Sequence, residues 1–219
     1  MTKARFLYNL FDLDGTLTDP GPGITNSVMY ALQKSGYPVP ERSELYKFIG
    51  PPLVFSFKTY SGMSDEEAER ALWYYRERFE AGGLFENEIY PGIPELLEKL
   101  KRGGGRIILC TGKPEEFAVR ILEYFGILKY FDFAAGNTLD EKRPEKRQVM
   151  EHIMARFPDL GPENTVMVGD RRYDVLAAKE LGFTAAGVLF GYGTREELEE
   201  ANADMLAESV EELEKLLTE

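Results

Sequence analysis

At 219 residues, 43% hydrophobic and 29% charged, the chain has the size and balance of one large globular domain, or of a main domain carrying a smaller insert. A formal net charge of −12 argues against nucleic acid or an anionic membrane surface as the main partner, and no apolar run is long enough for a transmembrane helix. One cysteine leaves no internal disulfide and fits a reducing cytoplasm, and the single His152 rules out a multi-histidine metal site.

The N-terminal MTKARFLYNLF has a basic start, but its short apolar run flows into acidic residues without a small-residue cleavage site, so it does not read as a signal peptide. Phe6–Leu13 is continuously apolar, as a strand buried on both faces would be, and it stops at Asp12-Leu13-Asp14-Gly15-Thr16. From about Ile24 to Tyr90 the patterns are helical only: Ile24–Ser35, Glu41–Phe48 and Ser64–Ala81. In the last of these Ala68, Ala71, Leu72, Tyr75 and Phe79 recur at three- and four-residue spacing behind the capping start Ser64-Asp65-Glu66-Glu67, a packing stripe. Between the second and third, Phe48-Ile49-Gly50-Pro51-Pro52-Leu53 must interrupt any helix.

Beyond Tyr90, strands and helices alternate. Arg106–Thr111, Phe131–Gly136, Thr165–Gly169 and Thr184–Phe190 read as buried strands, with helices over Gly92–Arg102, Glu115–Gly126, Pro144–Phe157 and Tyr173–Leu181. The acidic stretches REELEEANAD and SVEELEKLL read as solvated helix faces. Alternation of this kind predicts an α/β fold, a Rossmann-like parallel sheet flanked by helices. Residues 1–18 and 91–219 are expected to form that core, with residues 19–90 as an all-helical cap inserted after the first strand between PGPG and YPGIP.

Three predicted strands end in polar residues: the first in Asp12 and Asp14, the second in Thr111, the fourth in Gly169-Asp170 with Asp174 close behind. Open parallel sheets bind ligands outside the carboxyl ends of their strands. Carboxylates gathered there repel one another unless a cation is bound, and oxygen-only donors select a hard ion, Mg²⁺. A calcium EF-hand fails on spacing, since counting from Asp12 the glycine arrives too early and the twelfth position is Gly23. Mg²⁺ held by few carboxylates keeps positions for phosphate oxygens, so cationic and neutral donors should lie nearby. Thr111-Gly112-Lys113-Pro114 offers a hydroxyl, an exposed backbone N–H and an ammonium, and Lys146 offers another. By spacing alone, either lysine taken by itself reads rather as a surface residue.

Asp12-Leu13-Asp14-Gly15-Thr16-Leu17, Thr111 and Val168-Gly169-Asp170-Arg171-Arg172-Tyr173-Asp174 resemble, in order, the first, second and fourth motifs of the haloacid dehalogenase superfamily. The helical insert sits where that family carries its cap, so the resemblance covers essentially the whole chain. It implies Asp12 as the nucleophile that becomes an aspartyl-phosphate, and Asp14 as general acid and then base. It implies Mg²⁺ held by Asp12, the Asp14 backbone carbonyl and Asp170, with Asp174 in support, and Thr111 on a phosphoryl oxygen. The third-motif lysine falls to Lys146 at the start of a helix, with Lys142 as second choice. Gly112 stands where a Ser or Asn is commoner, keeping a backbone donor and losing a side-chain contact.

The full-length pattern is closest to phosphoglycolate phosphatase-like proteins, some of which act as 5′-nucleotidases, and it implies hydrolysis of a small phosphorylated metabolite. Residues 48–53 resemble that group's substrate-facing loop, or are a simple turn. Arg42, Lys47 and Lys58 are the cap's candidate substrate contacts. Asp14 sets the chain apart from dehalogenases, which lack the second acid. A sugar phosphomutase using the same Asp pair and a non-catalytic phosphometabolite sensor are the alternatives. Cys110, inside an apolar strand, reads as an inert buried thiol, and His152 as a structural or surface residue.

Overall fold

The computed structural model describes residues 3–219. The chain divides into two compact units, Met1–Thr18 with Ile89–Glu219, and Asp19–Glu88. The second crossing falls between Glu88 and Ile89, slightly ahead of the boundary expected after Tyr90. The first strand, β1, is Tyr8–Phe11, and the short β2 (Thr18–Asp19) carries the chain out of the first unit. The inserted unit holds α1 (Gly21–Lys34), α2 (Arg42–Leu45), α3 (Leu53–Ser61) and α4 (Asp65–Ala81), and β3 (Glu88–Ile89) brings the chain back. The rest alternates: α5 (Ile93–Arg102), β4 (Arg106–Pro114), α6 (Glu115–Tyr124), β5 (Phe133–Asn137), α7 (Lys146–Arg156), β6 (Thr165–Gly169), α8 (Arg172–Glu180), β7 (Thr184–Val188), α9 (Arg195–Glu200), β8 (Met205–Ala207) and α10 (Val210–Leu217).

Six strands of the first unit form one parallel sheet in the order β5-β4-β1-β6-β7-β8. The topology is Rossmann-like: β1 is central, and strand order reverses on either side of it. Every residue of β1 and β6 is buried, so both faces of the sheet are covered, which is why these strands are mostly apolar, with Asn9 and Thr165 the buried exceptions, rather than alternating. On one face Val149, Met150 and Ile153 of α7 and Val175 and Ala178 of α8 pack with Tyr8, Leu10, Ile108, Cys110 and Met167. On the other, α5 and α10 contribute Leu96, Leu97, Leu100 and Leu213, all fully buried. Each such aliphatic side chain contributes ~1.5–3 kcal/mol on burial.

Register positions the site. Phe11 pairs with Leu109 on one side and with Val168 on the other. One residue further on stand Asp12, Cys110 and Gly169, and one beyond that Thr111 and Asp170, all at the carboxyl edge of the sheet. The pairing of β4 with β5 shifts register between Cys110 and Pro114, a bulge that spans Thr111, Gly112 and Lys113. Bulges re-aim side chains at sheet edges, and this one lies in the stretch expected to meet phosphate.

Within the inserted unit α4 packs against α1 and α3, burying Ala68, Ala71, Tyr75 and Phe79. Its start is the capping box expected: Ser64 Oγ accepts the Glu67 N–H at 3.3 Å, and Glu67 Oε2 accepts the Ser64 N–H at 2.9 Å. Arg42 donates to Thr25 Oγ1 and Asn26 Oδ1, Lys47 pairs with Glu44, and Lys58 pairs with Asp65. Four elements were absent from the sequence reading, the two-residue strands β2 and β3 among them. Helix α3 follows Gly50-Pro51-Pro52, which breaks the chain as expected and then starts a new helix with Pro52 as its N-cap. Strand β8 is a three-residue edge strand, too short to stand out as an apolar run. No described helix is long and apolar enough to cross a membrane.

Candidate active site

Apart from Arg42, Lys47 and Lys58 of the inserted unit, the residues singled out in the sequence belong to the first unit, and most converge at the carboxyl edge of its sheet. Asp12 leaves β1 with its N–H donated to the Val168 carbonyl at 2.9 Å, and its Oδ1 accepts the Leu13 N–H at 2.8 Å. Asp170 leaves β6 fully buried, accepting from the Thr16 hydroxyl at 3.4 Å and the Tyr192 N–H at 2.8 Å. Asp174, in the first turn of α8, accepts the Arg171 N–H at 3.2 Å. Oxygens of Asp12, Asp170 and Asp174 lie within 4.8 Å of one another.

Two glycines permit this packing. Gly15 has φ +79°, and a Cβ there would lie 2.1 Å from Asp170 Oδ2. A Cβ on Gly169 would lie 2.2 Å from the carboxyl carbon of Asp174. At these two positions the backbone is approached so closely by a carboxylate that only glycine fits.

Lys146, the first residue of α7, reaches into the cluster. Its Nζ lies 2.9 Å from Asp12 Oδ1, 2.7 Å from Asp174 Oδ1 and 3.1 Å from the Cys110 carbonyl. Burial alone would lower the Lys146 pKa, but the Asp12 and Asp174 carboxylates outweigh it and raise the pKa above the usual value, so the ammonium stays charged. Lys142 is a surface residue paired with Asp140 at 2.6 Å and stands apart from the cluster.

The second acid of the first motif is in a different environment from the first. Asp14 Oδ2 takes the Lys113 ammonium at 2.6 Å, while its Oδ1 is buried without a hydrogen-bond partner. Burial pushes the Asp14 carboxyl above the usual range, and the neighbouring Lys113 pulls it partly back. The Asp14 carboxylate is not among the three that gather, so any part it has in holding a metal falls to its backbone. Thr111 is buried, with its Oγ1 accepting the Lys113 N–H at 3.3 Å, and a Cβ on Gly112 would meet open space. Cys110 is fully buried with its thiol pushed up to about 12 by burial, and exposed His152 lies with its ring centroid 5.9 Å from that of Phe133.

Four buried or nearly buried carboxylates thus face two ammonium groups, leaving an excess of two negative charges. Burial, with the charges of Asp174 and Asp12, pushes Asp170 well above the usual carboxylate range. Asp174 is raised to about 6 by burial against the opposing pull of Lys146. A divalent cation would restore the charge balance, and the three carboxylates, which offer only oxygen donors, fit a hard ion such as Mg²⁺. Sequence reasoning missed two supports: the Tyr192 N–H on Asp170, and Glu197, which pairs with Arg171 at 2.9 Å. The run Gly191-Tyr192-Gly193 shortly after β7, at the same sheet edge, was the available signal.

Comparison with known proteins identifies the family. The family profile for haloacid dehalogenase-like hydrolases matches residues 9–188. A 5′-nucleotidase of Pseudomonas aeruginosa is 42% identical over 89% of this chain and 87% of its own. The tyrosine-protein kinase PtkA of Mycobacterium tuberculosis is 38% identical over 95% of this chain and 71% of its own. A phosphoglycolate phosphatase of Vibrio parahaemolyticus is 31% identical over 97% of this chain and 96% of its own. Among solved structures, a predicted phosphatase from Clostridium acetobutylicum superposes with a TM-score of 0.92 at 43% identity, covering 96% of this chain and 97% of that one. With its Rossmann-like sheet and its acids at the carboxyl edge, the chain belongs to the haloacid dehalogenase-like hydrolases, as a phosphoric monoester hydrolase.

Proposed function

We infer that the chain is a Mg²⁺-dependent phosphatase that hydrolyses a small-molecule phosphomonoester, phosphoglycolate- or nucleoside monophosphate-like, through an aspartyl-phosphate. The observation that carries this is the separation of the two acids of one motif. Asp12 lies among carboxylates beside the Lys146 ammonium, while Asp14 sits apart on Lys113 with a raised pKa. Acids pushed into different environments take different roles. Asp12 attacks phosphorus, and Asp14 protonates the leaving oxygen and then deprotonates the water that releases phosphate.

Thr111, the Gly112 backbone, Lys113 and Lys146 bind the phosphoryl oxygens, where charge accumulates in a loose in-line transition state. Asp12, the Asp14 carbonyl, Asp170 and Asp174 hold the metal. When bound, Mg²⁺ supplies the positive charge that lets a carboxylate meet a phosphate dianion. Residues 19–90 act as a cap that sets the choice of substrate, and the enzyme works in the cytoplasm. The names of the Pseudomonas and Vibrio relatives support the two substrate classes.

Phosphate release from a panel of phosphoglycolate, nucleoside monophosphates, sugar phosphates and pyrophosphate, with Mg²⁺ and with chelator, tests the reading. Metal-dependent release from one class is expected. Isomerisation of a sugar phosphate without net release would favour a mutase, and silence across the panel from folded protein would sink the hydrolase.

A further inference from the structure

Lys146 opens α7 directly after an irregular stretch, residues 138–145, with no strand or helix to hold it in place. The ammonium must nevertheless sit between Asp12 and Asp174, so something has to fix this loop. Asn137, the last residue of β5 and 4% exposed, makes three hydrogen bonds into it. Its Oδ1 accepts the Thr138 N–H at 2.8 Å and the Arg143 N–H at 3.1 Å, and its Nδ2 donates to Glu141 Oε2 at 3.0 Å. One side chain therefore ties both ends of the loop together and holds its tip, where Glu141 takes a left-handed backbone with φ +56°.

The tie extends to the neighbouring segment. Glu115, two residues beyond Lys113, accepts the Gly136 N–H at 3.3 Å and an Arg143 Nη2–H at 3.2 Å with one oxygen. The two stretches that offer cations, 111–115 and 137–146, are thus joined through Asn137, Arg143 and Glu115. We propose that Asn137 is the positioning residue for Lys146: it clamps the 138–145 loop so that α7 begins where the Lys146 ammonium reaches Asp12 and Asp174. The role in catalysis rests on the phosphatase reading, but the placement of Lys146 does not.

The test measures that placement without activity. The full chain is labelled with an amine-reactive reagent, and modification of Lys146 is followed by peptide mass spectrometry against exposed Lys142. In the wild type, Lys146 should label at least ~10-fold more slowly than Lys142, because it is buried and ion-paired. Asn137→Ala should raise the Lys146 rate ~10-fold while leaving Lys142 and Lys179 unchanged. Asn137→Asp with Glu141→Gln reverses the donor and acceptor at the tip and keeps the Oδ1 acceptor, so it should return labelling and kcat to within ~3-fold of wild type. Should Asn137→Ala fail to fold, Asn137→Ser, which keeps one acceptor, should show a smaller rise in Lys146 labelling.

Unchanged Lys146 labelling in a folded Asn137 variant overturns the proposal, whether or not the protein hydrolyses anything. A rise at every lysine alike overturns it too, since that reports general loosening. Where the wild type is an active phosphatase, kcat should fall ~10- to 100-fold in Asn137→Ala with KM changed far less. An inactive wild type with the expected labelling pattern would count against the phosphatase and leave the clamp standing.

Discussion

Asp14 carries the sharpest consequence at the scale of a single residue. Its carboxyl is raised by burial and lowered in part by Lys113, and it must be protonated to release an alkoxide. Activity on alkyl phosphates should therefore fall as pH rises through the Asp14 pKa. Asp14→Asn should lower kcat for such substrates ~10²- to 10⁴-fold and abolish that limb. With p-nitrophenyl phosphate, whose leaving group needs no proton, the first, nitrophenolate-releasing turnover of Asp14→Asn should lose less than ~10-fold, while steady turnover stays slow because the aspartyl-phosphate lacks its base; an equal loss in the first turnover on both substrates would rule out Asp14 as the acid. Much at this scale was legible, since Asp12, Asp14, Asp170 and Asp174 announce themselves by interrupting or following apolar strands. The partner of each acid was not. That Lys113 meets Asp14 while Lys146 meets Asp12 and Asp174 depends on a bulge and on a loop, neither of which has a periodic signature.

Elements bring these residues together by register and by close approach. Gly169→Ala would drive a methyl into the Asp174 carboxyl, so α8 must shift or β6 must bend. Overpacking of this kind costs ~1–3 kcal/mol, and the urea midpoint should fall accordingly. Unchanged stability would mean that the helix adapts freely and that its carboxylate is not fixed by the strand. On the inserted unit, Ser64→Ala removes half of a capping box and should cost ~1 kcal/mol, read as a lower midpoint without loss of the site. The β–α alternation was readable because β1 and β6 are mostly apolar, buried on both faces, and α5 carries a clear leucine stripe. Helix α3 was hidden because Gly50-Pro51-Pro52 reads as an ending, although proline is as well suited to a helix start. Strand β8 was hidden because an edge strand of three residues needs only its neighbour β7 to exist.

For the whole molecule the charge imbalance is a stability statement. Asp170 and Asp174 are raised above the usual carboxylate range, so without a divalent cation the folded state binds protons more tightly than the unfolded chain. Their contribution is fully present below the unfolded value near 4 and is lost as pH rises through the folded value, about 6 for Asp174. Metal-free Asp170→Asn should therefore melt close to wild type at pH 4 and increasingly above it toward pH 8. Mg²⁺ should reverse that order at pH 8, since saturation at about 100 times Kd adds ~2.7 kcal/mol to a protein that binds it, or several degrees in Tm for a chain of this size. A wild type whose Tm ignores Mg²⁺ at pH 8 would contradict the metal assignment.

The central claim is that phosphorus passes through the Asp12 carboxylate, and acid-quench trapping tests it most directly. The enzyme, with Mg²⁺ and its best phosphomonoester, is quenched during turnover, and the peptide containing Asp12 is weighed before and after hydroxylamine. The account predicts one phosphoryl group on Asp12, labile to hydroxylamine, absent from Asp12→Asn and accumulating in Asp14→Asn. Steady phosphate release by Asp12→Asn, or turnover with no phosphoryl group on Asp12 in either wild type or Asp14→Asn, would contradict it.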